Sequence, residues 1–422
     1  MRRLYSLLMY LALPLFLMYF TWRGLRESGY LKRWSERLGR YPGSIPGGGL
    51  VIHTASLGEV NAAIPLCLAI LRDFPEYHLT ITTFTPTGSD RVKSVFGNRV
   101  THVYAPLDAP GAVQKFLAWC KPRLIVIMET EVWPNLYRYA SEMGIPLIVS
   151  NARLSERSMR AFKRFPRLAR DTLASVTWFG AQTSADADRL IACGARHQAV
   201  EVAGNIKFDH DISPTLTEEA RALRASWGST RPVLTAGSTH AEDEAILLSS
   251  FESILRQCPD ALLIMAPRHP DRFKAAITQV EITGFRHAVR SRGDRCDDST
   301  QVLVVDTMGE LLRYLACCDV AFVGGTLAAV GGHNPLEPMA LGKPVVFGPN
   351  TTHIAELTQQ LLDCGGGQQV ESAPDLADTV AQWFLQDAQR LAAGEAAQSL
   401  AENGRGALKH TVQKIRAVMA RI

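Results

Sequence analysis

Past residue 48 the chain alternates short, almost continuously apolar runs with longer stretches of helical spacing. Residues 50–54, 79–83, 124–128, 146–150, 177–181 and 199–203 predict one set of strands. A polar stretch rich in helix formers, residues 208–230, separates them from a second set at 233–236, 262–266, 302–305, 320–323 and 344–347. Strands this apolar, lying between helices, belong to parallel sheets covered on both faces. The rhythm predicts two successive doubly wound α/β domains, with a helical tail over 375–422.

Ahead of this pattern, residues 4–22 (LYSLLMYLALPLFLMYFTW) form an uncharged apolar run with aromatics toward both ends. As a helix it would measure roughly 28 Å, close to the hydrocarbon thickness of a bilayer. No small-residue cleavage site follows it, which argues against a signal peptide. It has no polar face, which argues against a buried core helix. Residues 1–22 therefore predict an uncleaved membrane anchor. Pro14 can kink it, so spanning and monotopic insertion both stay open.

The 422 residues are 47% hydrophobic and 20% charged, enough apolar material for sizeable cores. Lys and Arg number 45 against 41 Asp and Glu, a net charge of +4 that argues against a dedicated nucleic-acid binder. The first 40 residues hold eight basic and two acidic side chains, so they carry +6 and the remainder −2. The positive-inside rule then places the bulk of the chain in the cytoplasm. The basic cluster over 23–40 would face anionic headgroups at about 1 kcal/mol per charge, or simply form a solvated connector. The eight cysteines show no Cys-x-x-Cys pair and read as reduced, mostly buried thiols. Without a compact Cys/His quartet, a zinc site is not expected.

Ligands of doubly wound sheets bind beyond the carboxyl ends of the strands, and the unusual segments lie there. His53–Glu59 (HTASLGE) ends a strand and puts Glu59 in a first helical turn. An acid there complements the helix dipole, and the same dipole keeps it ionised as a base. Met128–Asn135 (METEVWPN) places Glu129 and Glu131 after a wholly apolar strand. Further strand ends carry AGSTH (236–240), APRHP (266–270) and DTMGEL (306–311). The richest segment runs from Gly324-Gly325-Thr326 through GGHNPLEP (331–338). Its glycines would let backbone N–H groups approach an anion, and the following helix would add its dipole. Arg268 offers a planar fork for phosphate, and Glu337 an acceptor for a ribose diol. Neither the dinucleotide-binding nor the P-loop glycine spacing is present.

Together with GNIKFD (204–209), these segments in this order closely resemble the Kdo transferases of bacterial lipopolysaccharide synthesis, and the likeness runs from the anchor nearly to the C-terminus. HTASLGE, METEVWPN and GGHNPLEP in combination carry it; each alone is weak. The resemblance implies a GT-B glycosyltransferase with two Rossmann-like domains facing each other across a cleft. Its divisions would be an acceptor-binding domain over 23–206, a CMP-Kdo-binding domain over 207–405 and a helix over 406–422. That helix often crosses back to the first domain in this fold class. The implied reaction is inverting transfer of 3-deoxy-D-manno-oct-2-ulosonic acid (Kdo) from CMP-Kdo to the lipid A precursor, lipid IVA. It would occur at the cytoplasmic face of the inner membrane, with no cofactor and no metal in the transfer step.

Residue by residue, Glu59 matches the family's proposed base and Glu129 its second important acid. Lys207 is placed to pair with a sugar-acid carboxylate or a phosphate. Ser238, Arg268, Met308, Gly309, Asn334 and Glu337 carry over as CMP contacts, Met308 through its backbone. Two other readings compete: a GT-B enzyme using UDP-GlcNAc, and a membrane-tethered nucleotide-binding protein without turnover.

Overall fold

The computed structural model describes residues 1–209 and 214–422. The chain divides into two compact units, one of residues 1–209 with 404–422, the other of residues 210–403. The first contains strands β1 (Leu50–His53), β2 (Leu79–Thr83), β3 (Thr101–Tyr104), β4 (Leu124–Met128), β5 (Leu147–Ala152), β6 (Trp178–Ala181) and β7 (Val200–Val202). They lie in the order β3-β2-β1-β4-β5-β6-β7, every pair parallel. The second contains β8 (Val233–Thr239), β9 (Leu262–Pro267), β10 (His287–Val289), β11 (Val302–Val304), β12 (Val320–Val323), β13 (Val345–Phe347) and β14 (Gly367–Gln369). Their order is β10-β11-β9-β8-β12-β13-β14, again all parallel.

In the first sheet the strand order reverses once, between β1 and β4; in the second the central switch lies between β8 and β12, and β11 is inserted between β9 and the edge strand β10. Loops diverge at such a point and leave room for a ligand. HTASLGE and METEVWPN begin at the ends of β1 and β4, while AGSTH closes β8 and the glycine-rich segment follows β12. The hydrophobic pattern leaves out β3, β10 and β14, which are edge strands, three or four residues long and in part polar.

The last helix, Ala407–Met419, packs on the first sheet. Ala407, Val412, Ile415 and Met419 join Leu66 and Ile70 in its core, and the Thr411 and Ser150 hydroxyls bond at 3.0 Å.

The N-terminal helix runs from Arg2 to Arg26 and contains Pro14 without interruption. At about 1.5 Å per residue it extends close to 38 Å. One face is docked along the first unit. Arg2 donates to the Asp171 carbonyl at 2.7 Å, Tyr5 to Asp108 at 2.9 Å, and Ser6 to Asn135 at 2.8 Å. The Tyr10 hydroxyl accepts from the Gly111 N–H at 3.0 Å. Near the far end Phe20 is buried with Tyr30 and Leu107. The opposite face, Leu4, Leu7, Leu8, Leu11, Leu15, Met18, Trp22 and Leu25, is an exposed apolar stripe.

Part of the basic cluster over 23–40 turns inward, contrary to the headgroup-facing expectation. Arg37 is 2% exposed, with its guanidinium 4.2–5.0 Å from the ring centres of Tyr104, Phe20 and Phe84, and it donates to the Phe84 carbonyl. Burial pulls its pKa down. Arg33 donates to Glu36 at 2.7 Å and to the His102 carbonyl at 2.8 Å, while buried Glu36 also accepts the Tyr104 N–H. These partners help to cover the polar groups of the edge strand β3, together with the Tyr41 hydroxyl, which donates to the Tyr104 carbonyl. Lys32 and Arg40 are exposed, and the Arg26 side chain lies outside the described residues.

Ile415 is fully buried, so Ile415→Ala should destabilise the first unit by about 2–5 kcal/mol. Denaturant unfolding of the full chain followed by tryptophan fluorescence checks this; a loss below about 1 kcal/mol would mean the last helix adds little to that core.

Candidate active site

In the first unit, Ser56 caps the helix Leu57–Asp73, accepting the Glu59 N–H on its hydroxyl oxygen. Glu59 folds back over the same turn. One carboxylate oxygen accepts the Ala55 N–H at 2.7 Å and the other the Ser56 hydroxyl at 3.0 Å. A carboxylate has about four acceptor sites, so this capping fixes the group and leaves lone pairs for a substrate hydroxyl. Glu59 is 8% exposed. Burial raises its pKa, helped by the charge of Glu129 and opposed by the Ala55 N–H.

Glu129 follows β4 in the left-handed region, φ 56°, a conformation costing about 1–2 kcal/mol for a side-chain-bearing residue. Its carboxylate accepts the Lys207 ammonium at 3.0 Å. Lys207 thus belongs to the first unit, where GNIKFD brings it to the acidic loop. Glu131 is a third carboxylate there, pushed up to about 7 by burial and then by the charge of Glu59. Its alternation with Glu129 in the sequence lets one of the two acids face a cleft while the other caps or pairs, and the family resemblance gives a role to Glu129 alone. The helix behind this loop, Pro134–Glu142, is capped from another loop: the buried Asp108 carboxylate accepts the Asn135 and Leu136 N–H groups, each at 2.9 Å.

In the second unit Ser238 bulges out of the β8–β9 ladder between Gly237 and Thr239 with φ 58°. Gly324 is required beside it, since a Cβ there would lie 2.2 Å from the Ser238 carbonyl oxygen. Arg268 follows β9 and donates its N–H to the Thr239 carbonyl at 3.0 Å. The glycine-rich segment differs from the anion cradle expected of it. Gly325, Leu327 and Ala328 donate their N–H groups to the fully buried Asp243 carboxylate, and Gly331 and Gly332 donate to the Gly325 carbonyl. A buried loop must satisfy its own backbone first. Asn334 accepts the Leu336 N–H at the short helix Leu336–Ala340, where half-buried Glu337 lies. Met308 and Gly309 are exposed, Gly309 with φ 87°.

Side chains gather there instead. The His240 and His333 rings stack 5.1 Å apart with their Nε2 atoms at 2.8 Å, and His269 meets His240 edge-on at 5.7 Å. Two protonated rings cannot share that contact. Burial, then the charges of His240, Arg268, His269 and His353, push His333 down to about 4, so His333 is neutral near pH 7. His240 and His269 lie inside the motifs AGSTH and APRHP, which point to Ser238 and Arg268, and the segment holding His353 carries no assigned role.

Residues 32–210 match the family described as 3-deoxy-D-manno-octulosonic-acid transferase (kdotransferase). A 3-deoxy-D-manno-octulosonic acid transferase of Haemophilus influenzae is 34% identical over 423 residues, covering 100% of this chain and 99% of that protein. The chain belongs to the Kdo transferase family. A transferase of the same name from Bordetella pertussis is 33% identical, covering 86% of each chain. Among solved structures, the calicheamicin glycosyltransferase CalG4 superposes with a TM-score of 0.56 at 13% identity, covering 90% of this chain and all of that one. That likeness bears on the fold alone, which is GT-B-like.

Within this transferase Glu131 has a measurable signature. Glu131 binds its proton more tightly folded, at about 7, than at its ordinary 4.5, so its contribution to stability falls as pH rises between those values. Glu131→Gln removes that loss. The variant should gain on the order of 2 kcal/mol relative to wild type between pH 5 and pH 8, read from paired thermal melts. A pH-independent difference would mean Glu131 titrates normally.

Proposed function

We propose that this transferase moves Kdo from CMP-Kdo to lipid IVA in lipopolysaccharide synthesis, with inversion, at the cytoplasmic face of the inner membrane. Kdo transfer follows from family membership; donor, acceptor and location rest on the chemistry of the sites. The carrying observation is Glu59, a carboxylate fixed by its own helix cap and made more basic by burial and by Glu129.

In the proposed step the acceptor hydroxyl attacks the anomeric carbon of Kdo and gives its proton to Glu59. The carbon–oxygen bond to the phosphate breaks, and its electron pair leaves with CMP. The anomeric carbon bears a carboxylate and no hydrogen, so the transition state has oxocarbenium character. Charge grows on the leaving phosphate, where Arg268 and the neighbouring histidines would stabilise it. Asn334, Glu337, Ser238 and the backbone of Met308 and Gly309 would hold the nucleotide. Lys207, already paired with Glu129, would orient that acid and meet a substrate anion.

The N-terminal helix supports a membrane location and favours insertion in the plane. It is held to the first unit from Arg2 to Phe20, so a bilayer-spanning orientation would drag the wall of that unit into hydrocarbon. The exposed stripe from Leu4 to Leu25 fits an interfacial helix with its apolar face down.

Glu59→Gln should lower kcat by at least about 10²-fold with CMP affinity nearly unchanged, whereas Arg268→Ala should weaken CMP binding. Activity should also fall on the acid side with an apparent pKa above 4.5, and Glu129→Gln should shift that limb downward. Purified enzyme with CMP-Kdo and lipid IVA, analysed by mass spectrometry, reports the product. Tighter binding of UDP than of CMP would refute the donor assignment.

Replacing Leu11, Leu15 and Met18 together by Asp should move the enzyme from the membrane pellet to the soluble fraction with its helicity intact. Retention in the pellet after a high-salt wash would reject the helix as the membrane contact.

A further inference from the structure

Residues 153–171 carry seven basic and two acidic side chains, a net charge of +5 in nineteen positions. That exceeds the +4 of the whole chain. The segment folds as two consecutive helices, Glu156–Arg164 and Pro166–Leu173. Met159 and Phe162 turn toward the core of the first unit. Arg157, Arg160, Lys163 and Arg164 point outward, as do Arg167 and Arg170 on the second helix. Among the described residues, none of these six has a carboxylate within salt-bridge distance. Arg160 stands three and four positions from Lys163 and Arg164, a spacing at which like charges repel along a helix. The row is therefore costly in isolation and is relieved when a polyanionic surface faces it.

Two observations say which surface. At the corner between the helices Phe165 is 54% exposed, an aromatic ring at the centre of a basic patch. At the far end, Asp171 receives Arg2 of the N-terminal helix, with the guanidinium Nε 3.4 Å from its carboxylate. The basic pair thus ends where the apolar stripe begins. Bases beside an apolar stripe, with an aromatic at the corner, match the headgroup region of an anionic bilayer; a nucleic acid or an acidic protein would have no use for the stripe.

We infer that the helices Glu156–Arg164 and Pro166–Leu173 form a second membrane contact of this enzyme, one that binds the phosphates of anionic lipid headgroups. This rests on the membrane reading of the N-terminal helix and assigns the electrostatic part of the contact elsewhere. The cluster over 23–40, which the linear order of charges favours, has spent Arg33 and Arg37 on the fold.

The test uses the full chain and vesicles of phosphatidylcholine, with or without phosphatidylglycerol. Binding of wild type should be stronger with phosphatidylglycerol and weaken with salt. The variant R157Q/R160Q/K163Q/R164Q should lose at least about tenfold of that preference. Its binding to phosphatidylcholine alone and its turnover in detergent should match wild type. An unchanged preference overturns the proposal. So does a preference that stays intact while KM for vesicle-borne lipid IVA rises, because the bases would then read the acceptor's own phosphates. RNA binding lost in the variant with vesicle binding retained would also overturn it. Failure of the N-terminal helix reading is distinguishable: wild type would then ignore phosphatidylcholine vesicles yet keep a variant-sensitive response to phosphatidylglycerol.

Discussion

A parallel strand that ends beneath a loop leaves N–H groups that water cannot reach, and in both units the acceptor for them is a buried carboxylate. Asp108 accepts the Asn135 and Leu136 N–H groups. Asp186 accepts that of Leu154, and Asp243 those of His240, Gly325, Leu327 and Ala328. Burying a charge is tolerable only when hydrogen bonds replace its water, and a charge-assisted bond contributes about 1.5–3 kcal/mol. Each acid therefore holds its loop in one conformation. The consequence for chemistry is a division of labour. The backbone of these capped turns is consumed in building the loops, so in the proposed mechanism most ligand contacts there would fall to side chains: Glu59, Glu129 and Lys207 in one unit, Arg268 and the histidines in the other.

The same constraint accounts for the strained positions. Glu129, Asn151 and Ser238 have φ between 56° and 58°, and each sits at or near the carboxyl end of a strand. Asn151 and Ser238 lie where the ladder slips register, between Val149 and Ala152 and between Gly237 and Thr239. A bulge re-aims the residue it contains. At Asn151 the freed side chain accepts the Ile206 N–H at 3.0 Å, which anchors the turn carrying Lys207. Strain at one strand end thus helps place the cation that pairs with the acid at the next.

How much of this is legible in the sequence follows from what each feature depends on. Central strands such as Leu124–Met128 and Val320–Val323 are read correctly because burial on both faces makes them uniformly apolar. The edges Gly367–Gln369 and Thr101–Tyr104 are missed because an edge may be polar, and its partners come from distant residues such as Glu36. The motif order locates the strand-end loops, since tight turns and helix starts are local. The consumption of the glycine-rich backbone by Asp243 is not local: the carboxylate lies about eighty residues upstream in an unremarkable acidic run. Charge misleads for the same reason, because a sum along the chain counts Arg37, which is inside, equally with Arg164, which is out.

One carboxylate ties the N-terminal helix to the acidic loop. Asp108 caps the helix that begins just after Glu129, Glu131 and Trp133, and its remaining acceptor capacity receives the Tyr5 hydroxyl. Asn135, whose N–H and amide nitrogen both bond to Asp108, also receives the Ser6 hydroxyl. Desolvation pushes Asp108 up to about 7 against the pull of these donors, so losing one weakens the ionised form that holds the cap. The N-terminal helix is then a structural member of the acidic loop as well as an apolar surface. Its two faces do separate work: substitutions on the exposed stripe alter what the helix touches outside, while those at Tyr5 or Ser6 alter the foundation of Glu129 and Glu131. Deleting the whole segment would change both at once, and a lost activity would then say nothing about membranes.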